Sequence, residues 1–441
     1  MNGPSGSETI NNPLFRHYFS STSDLYYSPF VDWSYTLRYP NSDASTASSV
    51  EQSAISAFDN IRASMQDQVY QLFSTCSDYL HFSNDDAGSS STSCSNSLEG
   101  IHNTIHTTAG GPGTSTVSGG HMTYLSLAAF DPIFWLHHCN VDRLFAMWQS
   151  QYPNSYGGSQ AAPHDTWTIA SGTTQNADSP LTPFYKDTAG TTFWTTNMVK
   201  NWNTTFHYTY PEFADSDGSK GAIASYINKL YGPSATATAG SSKRTAAPEP
   251  VAAPEAMPTA APELVERQGT PLQAANGSLY QYVANIRTPR YALNGSYYVF
   301  MFHGSPATED PASWILDPSL IGPMGVLAQP NMTGKDLVAA GSVPLTRTLS
   351  NAVTAGSLAD LTEANAAPYL KNNLVWRVAG PNGTEVDPGT IPDFEIAVFA
   401  STAAPPETQY SLPEWSAFVP LVEITQDRSG GANTTANATA I

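Results

Sequence analysis

The first half of the chain carries apolar residues at helical spacing in three separate stretches. Between residues 50 and 75 apolar side chains return every three or four positions, which predicts one long amphipathic helix. Shorter helices are predicted at 97–107 and 132–149. Residues 80–97 are rich in Ser, Asn and Asp, and 150–220 in Gly, Ser, Thr and Asn, so we expect mainly loops there.

The starts of the two shorter helices carry residues suited to capping. Asp131 is a good N-cap for the third helix, and Pro132 fits its first helical position. Asn96 is placed to cap the second helix, and Glu99 three residues later would complete a capping box. Both helices therefore have defined predicted starting points.

The second half of the chain changes to an alternation of apolar and polar residues with a period of two. Between 271 and 424, runs rich in β-branched and aromatic residues are separated by turn residues, which predicts a β-sandwich. The predicted strands include 279–286, 296–302, 374–378 and 394–399. We therefore expect an α+β protein, in which a mainly helical domain is followed by a C-terminal β-sandwich.

A linker separates these two regions. Twelve of the seventeen residues in 246–262 are Ala or Pro, a composition that cannot hold a packed core. Just before it, Lys243 and Arg244 form a dibasic pair, which is either a chance occurrence or a site for a kexin-type processing protease. The predicted organisation is a helical domain at 1–232, a linker at 233–270, a β-sandwich at 271–426 and a disordered tail at 427–441.

Composition narrows the class of protein. Apolar residues make up 40% of the 441 residues, enough to build substantial cores. Charged residues make up only 12%, and the net charge of −19 argues against nucleic acid and anionic membranes as partners. No apolar run reaches the ~18 residues of a membrane span, and Met1 is not followed by a signal-peptide pattern. We expect a soluble protein, secreted or cytoplasmic.

The three cysteines are too few for a disulfide framework. Cys76 and Cys94 could pair with each other. Cys139, inside the histidine motif of the third helix, is expected to be a small buried core residue.

Histidines cluster on the second and third predicted helices. His102 and His106 lie four residues apart, so they share one helical face and are close enough to bind one metal. His137 and His138 follow on the next helix, and because adjacent helical positions point about 100° apart, only one of them can face that metal. Three imidazoles from two helices predict a trigonal nitrogen site, which suits copper as well as zinc.

The same histidines have other interpretations. An HxxxH pair alone is more often structural than metal-binding, and the second segment is what favours ligation. A zinc protease would need the glutamate of HExxH, where this chain has Asn103. His137 is expected to pack beside the ligands without binding the metal, and His121 has no assigned role.

Together with the glycines at 110–111 and the sequence at 119–122, the two histidine segments resemble the copper B half of the tyrosinases, the type 3 copper enzymes that oxidise phenols. The resemblance implies His102, His106 and His138 as copper ligands. It also implies oxidation of monophenols or o-diphenols to o-quinones with O2, as in melanin-type pigment pathways. The predicted sandwich resembles the C-terminal domain of fungal tyrosinases, which covers the active site.

The resemblance assigns a catalytic role to two neighbours of the ligands. Glu99 and Asn103 match the two residues that hold a water over the coppers in tyrosinases. Burial could make Glu99 basic enough for that water to take the proton of a phenol near neutral pH. The alternative is that Glu99 only completes the capping box of its helix.

Three further residues are expected around the site. Phe134 lies one turn before His138 and would pack against the ligand rings. Asp142 would orient a ligand through its second ring nitrogen, or would form an ion pair with Arg143 or another cation. Leu125 matches the position that gates the substrate pocket in the family, or is an ordinary loop residue.

The resemblance does not include copper A, the other half of a type 3 site, which supplies three more histidines N-terminal to copper B. Before His102 the sequence has only His17 and His81, and the segments 11–14 and 35–40 resemble the stretch between the two copper segments of fungal tyrosinases. Relative to the family, which uses two coppers, the chain is expected to be N-terminally truncated, as a truncated gene, a fragment or a one-copper descendant. It is then expected to be inactive alone. The alternative is a non-catalytic protein, single-metal-binding or structural, derived from a tyrosinase.

Overall fold

The computed structural model describes residues 2–3, 6–7, 12–22, 25, 27–88, 94, 96–163, 165–235, 277–331 and 337–435. Lys243, Arg244 and residues 246–262 lie outside this set, so the cleavage site and the linker remain predictions.

The helical part of the molecule is built on three helices that the sequence predicted. The long helix at 50–75 and the two histidine-bearing helices are present, with ends that differ from the predicted ones by at most three residues. The helices of the described residues are α1 (Glu51–Thr75), α2 (Tyr79–Ser83), α3 (Asp85–Gly88), α4 (Leu98–Gly110), α5 (Pro132–Gln151), α6 (Thr196–Val199), α7 (Trp202–Phe206), α8 (Pro211–Ala214), α9 (Lys220–Tyr231), α10 (Thr346–Thr354) and α11 (Glu363–Asn373). Short 3-10 turns lie at Phe30–Asp32, His121–Thr123, Ala128–Phe130, Pro311–Leu316, Pro388–Thr390 and Val422–Ile424.

The strands of the C-terminal part form two antiparallel sheets of four strands each, in the orders β10-β7-β13-β14 and β12-β11-β8-β9. The strands of the described residues are β1 (Asn2–Gly3), β2 (Gly6–Ser7), β3 (Gln160–Ala161), β4 (Thr174–Gln175), β5 (Pro180–Tyr185), β6 (Phe193–Thr195), β7 (Leu279–Pro289), β8 (Tyr297–His303), β9 (Leu320–Val326), β10 (Val338–Pro344), β11 (Leu374–Ala379), β12 (Glu385–Val386), β13 (Glu395–Ala403) and β14 (Val419–Pro420). The pairs β1–β2, β3–β4 and β5–β6 are separate small hairpins. The α+β class with a C-terminal sheet domain is confirmed.

The central strand β8 shows how the two parts share one interior. Its alternate residues Tyr297, Val299 and Met301 pack into the core between the two sheets. The residues between them, Tyr298, Phe300 and Phe302, pack into the core of the helical part. Because side chains alternate across a strand, one sheet faces the other sheet on one side and the helices on the other. All six of these side chains are buried.

Gly325 lets strand β9 of the sandwich approach helix α4 closely. Gly325 of β9 donates its backbone N–H to Thr104 Oγ1 at 3.0 Å. A Cβ at Gly325 would lie 2.3 Å from Thr107 Oγ1 and 2.8 Å from Thr104 Cα. Any side chain there would therefore push β9 away from the helix.

The cysteines confirm one expectation and contradict another. Cys76, after the end of α1, and Cys94, ahead of α4, form a disulfide with a Cα–Cα distance of 5.0 Å. Cys139 was expected to be a buried core residue, but its side chain is exposed. It lies on the outer face of α5, next to exposed Trp135 and Leu136, which described residues do not cover.

The C-terminal residues differ from the disordered tail expected from residue 427. Ile396 of β13 donates its N–H to Gly430 O and accepts from the N–H of Ala432, both at 2.8 Å. Ala432 is fully buried, and the Arg428 guanidinium lies 3.8 Å from the ring centroid of Trp376. Residues 428–432 thus pack onto the sandwich, whereas residues 433–435 are exposed.

No helix within the described part of the chain is both long enough and apolar enough to cross a membrane.

Candidate metal centre

Helix α4 begins one residue later than the sequence suggested. Ser97, and not Asn96, is the N-cap, because Ser97 Oγ accepts the N–H of Gly100 at 2.9 Å. Asn96 instead accepts the N–H of Ser97 through Oδ1 and donates through Nδ2 to Gln68. The predicted capping box with Glu99 is therefore wrong. The third helical residue after the N-cap is Gly100 and not Glu99, and the Glu99 carboxylate accepts its hydrogen bonds from other residues.

Helix α5 begins where the sequence placed it. Asp131 accepts the N–H of Ile133 at 3.0 Å and Pro132 is the first helical residue. Arg38 adds a second restraint, since its Nε donates to Asp131 Oδ2 at 2.9 Å. The start of the helix is thus held by a charged, bidentate contact that the local sequence did not indicate.

The two helices bring their histidines together. His138 Nε2 lies 3.2 Å from His102 Nε2 and 3.3 Å from His106 Nε2. The described residues include one group of ligand-type side chains of this kind, formed by these three histidines and His137, with their ligand atoms within 4.8 Å of one another. His137 stacks on His102 with ring centroids 5.0 Å apart, and its buried Nε2 has no hydrogen-bond partner in the described structure.

The ring orientation of two histidines is fixed from outside the cluster. His106 Nδ1 lies 3.0 Å from Met122 O, a carbonyl that can only accept, so Nδ1 carries the proton and Nε2 keeps its lone pair. His102 Nδ1 lies 3.0 Å from Asn103 Oδ1, which fixes the same tautomer. Contacts of this kind orient imidazole ligands in metal sites.

Burial keeps the cluster uncharged. Burial and the neighbouring imidazoles lower the pKa of His106 to about 3, that of His137 to about 2 and that of His138 to about 4. Burial also lowers the pKa of His102. Neutral imidazole is the form that binds a metal ion.

The donor set fits a metal ion. Two nitrogens bound at about 2.0 Å with a tetrahedral angle are about 3.3 Å apart, and the measured Nε2 separations from His138 are 3.2 and 3.3 Å. An all-imidazole site suits copper or zinc. Two of the three separations among the proposed ligand atoms therefore already match those around one such ion.

The family model described as the common central domain of tyrosinase matches residues 2–151, and the tyrosinase C-terminal domain matches residues 281–398. A tyrosinase of Podospora anserina is 30% identical over 84% of this chain and 69% of its own length. The chain belongs to the tyrosinase family.

Other relatives agree with this membership. A tyrosinase of Neurospora crassa is 29% identical over 96% of this chain and 73% of its own length. Recombinant mushroom tyrosinase has the same fold, with a TM-score of 0.73 and 23% identity over 95% of this chain and 72% of that one. The holo-protyrosinase of Aspergillus oryzae matches with a TM-score of 0.58 and 19% identity, over 94% of this chain and 67% of its own.

Glu99 and Asn103, which were predicted to hold a water near the metal, belong to a larger polar network. Asn103 Nδ2 donates to Asp85 Oδ2 at 3.2 Å, and Asp85 N–H donates to Glu99 Oε2 at 3.2 Å. Arg290, from the C-terminal part, donates to Glu99 Oε1 at 2.8 Å and to Asp85 Oδ1. Asp85 and Arg290 were not predicted as site residues from the sequence, because neither belongs to the histidine motifs and Arg290 is 191 positions from Glu99.

The pKa of Glu99 does not follow the expectation that burial makes this carboxylate basic. Burial alone would raise the pKa of Glu99, but the Arg290 guanidinium outweighs burial and lowers it. The opposite holds for Asp85, whose pKa is raised well above its usual range by burial and by the nearby Glu99 carboxylate. Glu99 is therefore an ionised hydrogen-bond acceptor, and the idea of a carboxylate made basic by burial is wrong for it.

The three remaining predicted residues have different surroundings. Phe134 stacks on His138 with ring centroids 3.9 Å apart and lies edge-on to His106, which is the predicted packing. Leu125 is 44% exposed, and its assignment as the substrate gate of this tyrosinase family member stays a prediction.

Asp142 has neither of its predicted partners. Its Oδ2 accepts hydrogen bonds from the hydroxyls of Tyr208 and Tyr210, at 2.6 and 2.5 Å. The neighbouring Arg143 pairs instead with Glu212 of α8, with its Nε 3.0 Å from both carboxylate oxygens. Both tyrosines come from the 150–220 region, which showed no periodicity that would have placed them beside α5.

A cavity of about 570 Å3 opens beside the cluster, between α1, α4, α5 and the end of α9. His102 and His137 reach its wall, which is otherwise mainly apolar. Among the lining residues are Phe58, Ile61, Met65, Ile101, Val141 and Leu144. Its size and apolar character suit a small aromatic molecule.

Proposed function

We propose that this chain binds copper through the Nε2 atoms of His102, His106 and His138. We further propose that it serves the phenol-oxidising chemistry of its family, in which monophenols or o-diphenols become o-quinones with O2, as in melanin-type pathways. The observation that carries the proposal is the convergence of the three Nε2 atoms, with His138 Nε2 at 3.2 and 3.3 Å from the other two.

Several side chains would serve this chemistry. Copper, when bound, supplies the redox chemistry that couples O2 to phenol oxidation. The protein's own part is to hold the ion with neutral imidazoles, to shield it with the Phe134 ring, and to offer an apolar cavity to a phenol. Glu99 and Asn103 are assigned as the pair that holds a water near the metal, with the ionised Glu99 accepting a hydrogen bond from it.

We propose a single copper site for this chain. The described residues bring one group of histidines together, whereas the family's type 3 centre uses two coppers. Turnover by this chain alone is therefore not expected. The second candidate function, a non-catalytic single-metal-binding or structural protein derived from a tyrosinase, is favoured by the same observation.

Two finer proposals concern processing and location. The Cys76–Cys94 disulfide favours an oxidising compartment, and so a secreted protein, over a cytoplasmic one. A kexin-type protease, which acts in the secretory pathway, is proposed to cleave after Lys243-Arg244, within a Ser- and Ala-rich segment.

Copper titration of the full chain tests the proposal. We expect about one tightly bound copper per chain, an electron paramagnetic resonance spectrum of nitrogen ligation, and no oxidation of catechol above that of free copper. His106→Ala should abolish tight binding, whereas the matched control His303→Ala, an exposed histidine bonded to Tyr369 in the sandwich, should retain it. Absence of tight copper binding would overturn the proposal. About two coppers with catechol turnover would overturn the single-site assignment and restore full oxidase function.

A further inference from the structure

Arg290 is a charged residue of the sandwich that ends inside the helical part. It follows the last residue of β7, and its side chain is only 14% exposed. Its guanidinium binds two carboxylates, Glu99 of α4 and Asp85 of α3. Burying a guanidinium against two carboxyl groups is unfavourable unless hydrogen bonds join them. Arg290 donates to both carboxyl groups through one terminal nitrogen, while its buried Nε has no partner among the described residues.

Asp85 links Arg290 to Asn103, the neighbour of His102, through hydrogen bonds. Its side chain is 1% exposed, and both of its oxygens face donors. Oδ1 accepts from Arg290, and Oδ2 accepts from Asn103 Nδ2 at 3.2 Å. Because Asp85 takes the NH2 end of the Asn103 amide, the oxygen end must point the other way.

That oxygen end meets His102. Asn103 Oδ1 lies 3.0 Å from His102 Nδ1, so the ring must carry its proton there and leave Nε2 free toward His138. The donors and acceptors thus form one ordered path from Arg290 through Asp85 and Asn103 to His102. If the amide turned over, its NH2 group would face Nδ1 and would favour the opposite tautomer, with the proton on Nε2.

We propose that Arg290 is a positioning residue for the metal centre, which fixes the tautomer and orientation of His102 through Asp85 and Asn103. This inference rests on the proposed copper site for its significance. It makes the ligand geometry on α4 depend on the sandwich staying in place, although no ligand comes from the sandwich.

The test compares Arg290→Met with Arg290→Lys in the full chain. Loss of a direct outer partner of a histidine ligand weakens metal binding by about 10–100-fold. Because Asp85 and Asn103 lie between Arg290 and His102, we expect Arg290→Met to weaken Cu(II) binding by about 10-fold, the lower end of that range. The Cu(II) paramagnetic resonance spectrum should change as well, and Arg290→Lys should restore part of the affinity. Arg347→Met is the matched control, because Arg347 also links the sandwich to the helical part, through Asp67 of α1. It should leave affinity and spectrum unchanged.

Two measurements separate positioning from a general structural effect. In an Asn103→Ala background Arg290→Met should have little further effect, since the path is already broken. In the metal-free protein, nitrogen NMR of the histidine rings should show His102 losing its single tautomer in Arg290→Met, with the buried His121 unchanged.

The inference is overturned if Arg290→Met stays folded and keeps both the His102 tautomer and the copper affinity. It is also overturned if its effect adds fully to that of Asn103→Ala. Failure of wild type to bind copper would sink the proposed function, while the tautomer measurement would still decide the role of Arg290.

Discussion

Helices α4 and α5 both supply histidines to the cluster, but they are held in different ways. Ten of the thirteen residues of α4 are buried, between the helical core on one side and strand β9 on the other. In α5 the buried residues are His137 and a group in the last two turns, from Leu144 onward. The N-terminal half of α5, which carries His138, exposes Trp135, Leu136 and Cys139.

This difference has a consequence for the centre. On α4 the backbone position and the ring orientation are fixed by packing and by a charged network. On α5 the proposed ligand His138 depends on the helix start, on the Phe134 ring and on the buried C-terminal half. The proposed metal centre is therefore enclosed by buried residues on the α4 side and supported by few buried residues on the α5 side.

The largest expected effect contrasts the two faces of α5. Trp148 is fully buried, stacks on Phe82 at 4.2 Å and donates to Cys76 O. Trp148→Ala should lower the free energy of unfolding by about 3–5 kcal/mol. Trp135→Ala, at a residue that is 64% exposed, should change it by less than about 0.5 kcal/mol. Chemical denaturation of both variants measures this, and equal losses would show that the outer face is covered in solution.

The second effect separates the ligands from their neighbour. His106→Ala should weaken Cu(II) binding by more than the about 100-fold that marks outer partners, because it removes a ligand oriented by Met122. His137→Ala should weaken it by less than about 10-fold, since its ring packs against the three proposed ligand rings and is not itself proposed to bind the metal. Isothermal titration with Cu(II) distinguishes them. A loss in His137→Ala as large as that in His106→Ala would make His137 a ligand.

The comparison also explains what the sequence could and could not predict. The positions of α1, α4 and α5 followed from periodicity, that of α5 also from its cap, and the histidine cluster from spacing, since these signals are local. Cys139 was misjudged because periodicity identifies the faces of a helix but not what covers them. Arg290 and Asp85 escaped notice because their role exists only after the sandwich packs on α4.

The third prediction concerns the close contact between helix α4 and strand β9. Gly325→Ala adds a Cβ that would lie 2.3 Å from Thr107 Oγ1, so β9 and α4 must separate. Overpacking of this kind costs about 1–3 kcal/mol, measured by chemical denaturation. Gly304→Ala is the control for replacing a glycine in the sandwich, since nothing lies within 4 Å of its Cβ position; its positive φ makes any loss there one of backbone strain alone. If the spectrum of bound Cu(II) is unchanged in Gly325→Ala, the position of α4 does not depend on this contact.

The smallest effect concerns the support of α5 by the pair of Arg143 and Glu212. Burial alone would raise the pKa of Glu212, but the hydrogen bonds from Arg143 lower it. A carboxyl group whose pKa is lower in the folded state stabilises the fold above its unfolded pKa, and that contribution is lost as the pH falls through the folded pKa. Glu212→Gln should therefore be less stable than wild type near pH 7, with the difference shrinking as the pH falls below about 4.

Thermal unfolding of Glu212→Gln and of wild type, at several pH values between about 3 and 7, measures this difference in stability. Glu385→Gln is the matched control, because Glu385 pairs with Arg377 within the sandwich, away from α5. If Glu212→Gln loses stability but His138 still binds Cu(II) with wild-type affinity, the C-terminal half of α5 contributes to the fold without setting the ligand. If copper affinity falls together with stability, the N-terminal half of α5 takes its position from this ion pair, which lies more than one helical turn after His138.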